Sequence, residues 1–202
     1  MPSKQRTLVL VSSLGVVLLM LLVYWLITVH QTYTLRQQVL QVLPGASQLQ
    51  HLHYNERTWQ PAAMAGGNLE SLYAGYDESG HFVGYAIPAE GPGYQSPIRL
   101  IYGYHPNQRL IVGITILDSG ETSGWGDKVL KDRDFLANFQ SLAVDPKLVI
   151  VDDGEKNQPN EVDIISGATI SSQAIVQILN ATNRRWLRHL PSVESAPTLV
   201  YP

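Results

Sequence analysis

The chain contains no cysteine. Disulfides, thiolate zinc sites, cysteine-ligated iron–sulfur clusters and C-x-x-C-H haem attachment are therefore excluded. Any electron-handling role would need a carrier held without sulfur. Charge is scarce as well: 15% of the 202 residues are Asp, Glu, Lys or Arg, against about 25% in an ordinary soluble domain. The 14 basic and 17 acidic side chains leave a net charge of −3, so there is no cationic surplus for a polyanion and nucleic acid is not an expected partner. The length suits one domain plus an appendage.

The missing charge is concentrated in one place. No Asp, Glu, Lys or Arg lies between Arg6 and Arg36, and residues 8–29 form a nearly unbroken apolar run. About 20 apolar residues at roughly 1.5 Å rise cross a bilayer core of about 30 Å. Tyr24, Trp25 and His30 stand towards one end, where amphipathic rings favour the interface. A cleaved signal peptide is the alternative, but its apolar region is usually shorter and ends in a small-x-small site. The sequence after Val29 offers no such site. A retained single transmembrane helix in the lipid bilayer is expected. Lys4 and Arg6 before it, against Arg36 after it, favour a cytoplasmic N-terminus and an extracytoplasmic main body.

The remainder reads as α+β. The expected division is residues 1–30 as N-terminus and membrane helix, 31–68 as a helical connection and linker, 69–190 as a folded domain, and 191–202 as a flexible tail. Leu35, Val39 and Leu43 continue a helical spacing that Pro44-Gly45 stops. Residues 46–66 carry weak signals and are expected to hold loop and short elements. Residues 72–77 and 81–87, around Glu78-Ser79-Gly80, read as a hairpin; residues 98–104 and 110–117 read as a second. A mainly antiparallel twisted sheet with flanking helices is expected. Phe135, Leu136, Phe139 and Leu142 form a helical stripe over 132–142, residues 148–151 read as a short buried strand, and residues 171–188 carry the strongest helical pattern outside the membrane run.

Two segments carry chemistry. In the first, Gly120, Glu121, Thr122, Ser123, Gly124, Trp125, Gly126 and Lys128 follow an apolar strand. Glycines let a backbone approach a ligand closely, although a surface turn needs no ligand. In the second, Asp163-Ile164-Ile165-Ser166-Gly167-Ala168-Thr169 leads through Ile170 into Ser171 and Ser172 at the start of a strong helix. Unpaired N–H groups and the helix dipole make a phosphate site there, while an N-cap by Ser171 or Ser172 is the ligand-free alternative.

Taken together, these segments resemble the FMN-binding domain family, especially the G subunit of Rnf-type electron transport complexes and the C subunit of the sodium-translocating NADH:quinone reductase. The family pattern D-x-x-S/T-G-A-T/S is matched at every fixed position by residues 163–169. The resemblance implies that Thr169 carries FMN through a phosphoester bond, placed there by a separate flavin transferase that uses FAD and recognises Asp163. It implies that Ser166, Gly167, Ala168, Ser171 and Ser172 line the phosphate end. The second hallmark, E-T-P-G-L-G followed by lysine, is matched by Glu121, Thr122, Gly124, Gly126 and Lys128, with Ser123 for proline and Trp125 for leucine. These residues are implied to cover the flavin ring, with Trp125 placed to stack on it. Gly93-Tyr94 ahead of Ile98 resembles the family's G-Y-x-x-x-I approach and adds Tyr94 to the cofactor-binding set.

The implied role is a bacterial inner-membrane electron carrier with a periplasmic FMN domain. It works through the other subunits of a redox, possibly ion-translocating, complex rather than turning over a substrate alone. No catalytic side chain and no metal site are expected. The alternatives are a stand-alone flavin reductase, for which His81, His105 and Glu90 are the candidate acids, and a non-redox assembly or sensor subunit. His51 and His53 share a strand face in spacing, and Asp152, Asp153 and Glu155 cluster; a solvated structural role is expected for each group.

Overall fold

The apolar run is helical. The computed structural model of the chain describes residues 2–55, 58–62, 70–119 and 132–199 and divides into two units, Met1–Arg36 and Gln37–Pro202. Helix α1, Pro2–Gln41, occupies the first unit, and its last residues belong to the second. Its stretch Val16–Gln41 is long and apolar enough to cross a membrane. The hydroxyls of Thr28 and Thr34 donate to the carbonyls of Tyr24 and His30 at 2.9 and 3.0 Å, so neither polar group needs water. The helix ends as the sequence predicts. Leu43 N–H turns back to Leu40, Pro44 cannot continue the ladder, and Gly45 takes φ +91°.

The second unit is built on a seven-stranded sheet. Its strands are β1 (Gln48–Tyr54), β2 (Trp59–Pro61), β3 (Ser71–Tyr76), β4 (Phe82–Pro92), β5 (Pro97–His105), β6 (Leu110–Ser119) and β7 (Leu142–Ala143). They pair in the order β2-β1-β3-β4-β5-β6-β7, and every pairing is antiparallel. Both hairpins expected from the sequence are present, as β3–β4 and β5–β6. A separate parallel pair joins β8 (Val149–Val151) to β9 (Glu161–Asp163). Val149 is exposed, so β8 is less buried than its apolar sequence suggests.

Three segments depart from the sequence reading. Residues 48–54, rich in Gln and His, form β1 because they pair along six residues of β3 and because the His51 ring stacks on Tyr73 at 5.0 Å. The helix expected over 132–142 is the short α2, Arg133–Ala137, capped by the Asp132 carboxylate on Phe135 N–H. Leu142 leaves the helical stripe to pair with Ile111, yet Phe135, Phe139 and Leu142 remain buried. Beyond Pro191 the chain lies along the sheet. Its carbonyls at Pro191 and Pro197 accept the hydroxyls of Tyr85 and Tyr76.

Strand alternation divides the core between two faces. On one, Leu72, Tyr85, Ile87, Leu100 and Tyr102 pack with α2 and with helix α3, Thr169–Trp186. Tyr73, Ala86 and Ile101 take alternate positions and lie outside that cluster, as do Val39, Val42 and Leu43. There Gly75, Gly84, Gly103 and Gly113 open space for residues 42–43: a Cβ on Gly103 would stand 1.9 Å from the Val42 carbonyl oxygen.

The tyrosines give the fold a pH limit. Burial raises the pKa of Tyr73, Tyr85, Tyr102 and Tyr104 and pushes Tyr76 up to about 12. In an unfolded chain these phenols ionise near 10. Above that pH the unfolded state holds fewer protons than the folded one, so stability falls as pH rises. The melting temperature is expected to drop steeply between about pH 10 and 12, alongside a delayed rise in tyrosinate absorbance. A flat Tm across that window would contradict the burial of these hydroxyls.

Candidate functional site

The second chemical segment runs from β9 into α3. Asp163 N–H donates to Asn138 Oδ1 at 3.3 Å, and Ile164 N–H extends the parallel ladder to the Val151 carbonyl at 3.1 Å. Ile165 is buried, Ala168 N–H closes a turn onto its carbonyl at 2.9 Å, and Gly167 takes φ +82°. That left-handed conformation is the reason for glycine between Ser166 and Ala168. Ser166 and Gly167 are exposed, and Thr169, the first residue of α3, is half-buried.

The ordinary cap is absent. The N-cap residue is Ala168, which makes no side-chain cap bond. Ser172, fully buried, faces the preceding loop instead: its hydroxyl donates to the Ala168 carbonyl at 3.0 Å and accepts Ile165 N–H at 3.3 Å. Ser171 is buried beside it. Alanine has no side-chain oxygen to offer the first N–H groups, so the loop is fixed from within by Ser172 while the positive end of the 18-residue helix opens at Thr169. Asp163 Oδ1 is buried and accepts no hydrogen bond among the described residues. This donor-rich helix start, with a threonine hydroxyl at its first position, fits a phosphate monoester.

The direction of α3 brings the site towards one end of the sheet. Gly91 of β4 lies against Ile178, where a Cβ would stand 2.6 Å from Ile178 Cγ1. Five residues later Asn183 Oδ1 accepts the Tyr102 hydroxyl at 2.8 Å, and Tyr102 pairs with Ile87. The helix C-terminus therefore runs towards the start of β4, and Thr169 points towards the end where β4 turns into β5. Tyr94 sits in that turn, 61% exposed, beside the bond from Gly93 N–H to the Ser96 carbonyl. Strand β6 ends at the same place, with Ser119 opposite Ile98. Glu121, Thr122, Gly124, Trp125, Gly126 and Lys128, which follow Ser119, lie outside the described residues.

Other candidates stay apart. Glu90 is 3.7 Å from Arg99, His81 pairs with Asp77 at 3.2 Å, and His105 Nδ1 accepts Gln108 N–H. Glu90 stands opposite Arg99, six residues and about 20 Å along β5 from His105. These groups form no common acid site. Among the described residues no three His, Asp or Glu side chains gather as metal ligands. The sequence assigns neither Asn138 nor Asn180 to the site, yet both hold its surroundings. Asn180 makes a two-way amide pair with the Leu148 backbone at 3.0 and 2.9 Å. Amides of this kind give no sequence signal, because their partners are distant backbone atoms.

Residues 93–183 match the FMN-binding domain family. That span runs from the Tyr94 turn through Thr169 to Asn183. Over these residues the chain is similar to FMN-binding domains.

Its curated relatives include the G subunit of the ion-translocating oxidoreductase complex of Methanosarcina acetivorans, 34% identical over 116 residues, 57% of this chain and 58% of the relative. The G subunit of the Na(+)-translocating ferredoxin:NAD(+) oxidoreductase complex of Acetobacterium woodii is 33% identical over 117 residues, 55% of this chain and 53% of the relative. The match spans little more than half the length of these relatives. The structure of NqrC from Shewanella oneidensis superposes with a TM-score of 0.61 at 18% identity, covering 79% of this chain and 99% of that one. The C subunit of the Na(+)-translocating NADH-quinone reductase from Parabacteroides distasonis superposes with a TM-score of 0.63 at 18% identity, with 80% and 94% covered. The chain thus shares the fold of these two proteins.

Proposed function

We propose that this chain is a membrane-anchored electron carrier that holds FMN by a phosphoester bond to Thr169 and serves as one subunit of an Rnf- or Nqr-like redox complex. The observation that carries the reading is the placement of Thr169. It opens α3 at a helix start capped by alanine, inside a D-x-x-S-G-A-T segment of the span similar to FMN-binding domains. The N–H groups and dipole of the helix start suit the remaining phosphate charge, and Ser172 fixes the loop that presents the hydroxyl. Attachment forms a bond from Thr169 Oγ to phosphorus, breaks the diphosphate of FAD with AMP as leaving group, and releases the threonine proton. A flavin transferase supplies that step.

The bound flavin would supply the redox chemistry; the protein supplies position and electrostatics. Helix α1 anchors the chain in the inner membrane with its N-terminus cytoplasmic and the domain outside. Anchoring raises the effective concentration of partner subunits, which a carrier with one redox centre requires. The segment holding Glu121, Thr122, Gly124, Trp125, Gly126 and Lys128, together with Tyr94, covers the ring.

Intact-mass spectrometry on protein purified from its own membranes tests the proposal. The mass is expected to exceed that of the polypeptide by FMN less one water, with the increment on the peptide containing Thr169. A bare polypeptide mass, with no flavin surviving denaturation, would overturn the covalent carrier.

A further inference from the structure

The other end of α3 carries a second site of different character. A cleft of about 600 Å³ opens between the C-terminal half of α3, the β5–β6 turn and the segment before β8. This is within the size range of small-ligand pockets. Four of the chain's 14 basic residues line it: Arg109, Lys147, Arg184 and Arg188. They come from three separate segments, so the cluster is not simply cations answering the dipole of one helix. Arg109 pairs with Asp145 at 3.1 Å. Among the described residues no carboxylate pairs with Lys147, Arg184 or Arg188. Glu90, on the adjoining cleft that shares Lys147 and Arg184, is held by Arg99.

One further observation points to a ligand. Asn183 lines the cleft, is 9% exposed, and its buried Nδ2 has no acceptor among the described residues, while its Oδ1 is spent on Tyr102. Arg109 is the one non-glycine residue with positive φ among the described residues, at +57°. A left-handed arginine persists where surrounding contacts over-determine it. Here those contacts are the Val144 N–H on its carbonyl and the Asp145 carboxylate on its guanidinium. Lysine and arginine carry donors only, and the acceptor oxygen of Asn180 is already taken by Leu148 N–H. The charged lining and the free amide thus call for an acceptor-rich, multiply charged partner.

We infer that this cleft is an anion site for a phosphate-bearing ligand, either a free phosphate ester or diphosphate or the headgroup of an anionic lipid. It is distinct from the flavin attachment point. Fifteen residues of helix separate Thr169 from Arg184, about 22 Å at 1.5 Å per residue. The inference does not depend on the flavin reading.

Lys147 is exposed and serves as the probe. The full chain in neutral detergent is treated with an amine-acetylating reagent, and modification of Lys147 is followed by peptide mass spectrometry. Pyrophosphate is titrated against sodium chloride at equal ionic strength. The same labelling is done in nanodiscs of phosphatidylglycerol and of phosphatidylcholine. Saturable protection by pyrophosphate, weakened about tenfold or more in R184A/R188A, supports a free phosphate ligand. Protection only in phosphatidylglycerol, lost in the same variant, supports a lipid headgroup. Both arginines are exposed, so the variant is expected to keep the wild-type circular dichroism. No protection beyond the chloride control in either arm, or equal protection in R184A/R188A, overturns the site.

Discussion

Thr169→Val is expected to yield a folded protein that carries no covalent flavin. Valine keeps the branched shape of threonine and removes only the hydroxyl. The position is half-buried, and the Thr169 hydroxyl takes no part in the loop-fixing bonds, which run through Ser172, Ala168 and Ile165. The stability change should stay within about 0.5–1 kcal/mol. The change in cofactor content should be complete, because no other atom of the side chain can form the ester. Thr169→Ser keeps the nucleophilic oxygen at the same helix position and is expected to retain flavin. The readouts are intact mass, in-gel flavin fluorescence after denaturation, and a circular dichroism melt. Covalent flavin on the valine variant would place the attachment elsewhere.

The segment proposed to carry the flavin stands out in sequence because its features are local. A hydroxyl, a left-handed glycine and a helix start must be neighbours in the chain, so their spacing survives without the fold. Its surroundings were not legible to the same degree. The sequence allowed a cap by Ser171 or Ser172; the structure turns Ser172 inward to fix the loop and leaves Ala168 as cap. That choice depends on the burial of Ser172 under the domain. Strand β1 hid behind Gln48, Gln50, His51 and His53, because its stability comes from pairing with β3 rather than from apolar alternation. The stripe of Phe135, Phe139 and Leu142 overstated α2: the same spacing buries side chains through irregular turns, and β7 claims Leu142. The basic cleft was invisible for the opposite reason. Arg109 and Lys147 are 38 positions apart and meet only once the β5–β6 turn and the segment before β8 are folded against α3.

Gly103→Ala is expected to be the most destabilising single-methyl addition in the domain. In an isolated strand alanine is worth about 0.5–1 kcal/mol over glycine, so local preference favours the change. Tertiary contact opposes it. The new Cβ would stand 1.9 Å from Val42 O and 2.9 Å from Val42 C. Both are backbone atoms of a fully buried residue. The facing Gly113 already brings its own Cβ position to 3.0 Å from the same oxygen, so residue 42 cannot shift that way either. Relief requires lifting residues 42–43 off the sheet, which exposes Val42 and Leu43 and should cost about 3 kcal/mol or more. For a chain of this size that is a fall of roughly 6–12 °C in Tm. Gly75→Ala is the internal comparison. Its Cβ would meet Leu43 Cδ1 at 2.7 Å, the end of a side chain that can rotate, so a loss of about 1 kcal/mol is expected. Denaturant titration of both variants in detergent separates the cases. Equal losses at the two positions would mean that the Val42 backbone is not seated over Gly103, and that the glycine pair Gly103–Gly113 does not serve to receive it.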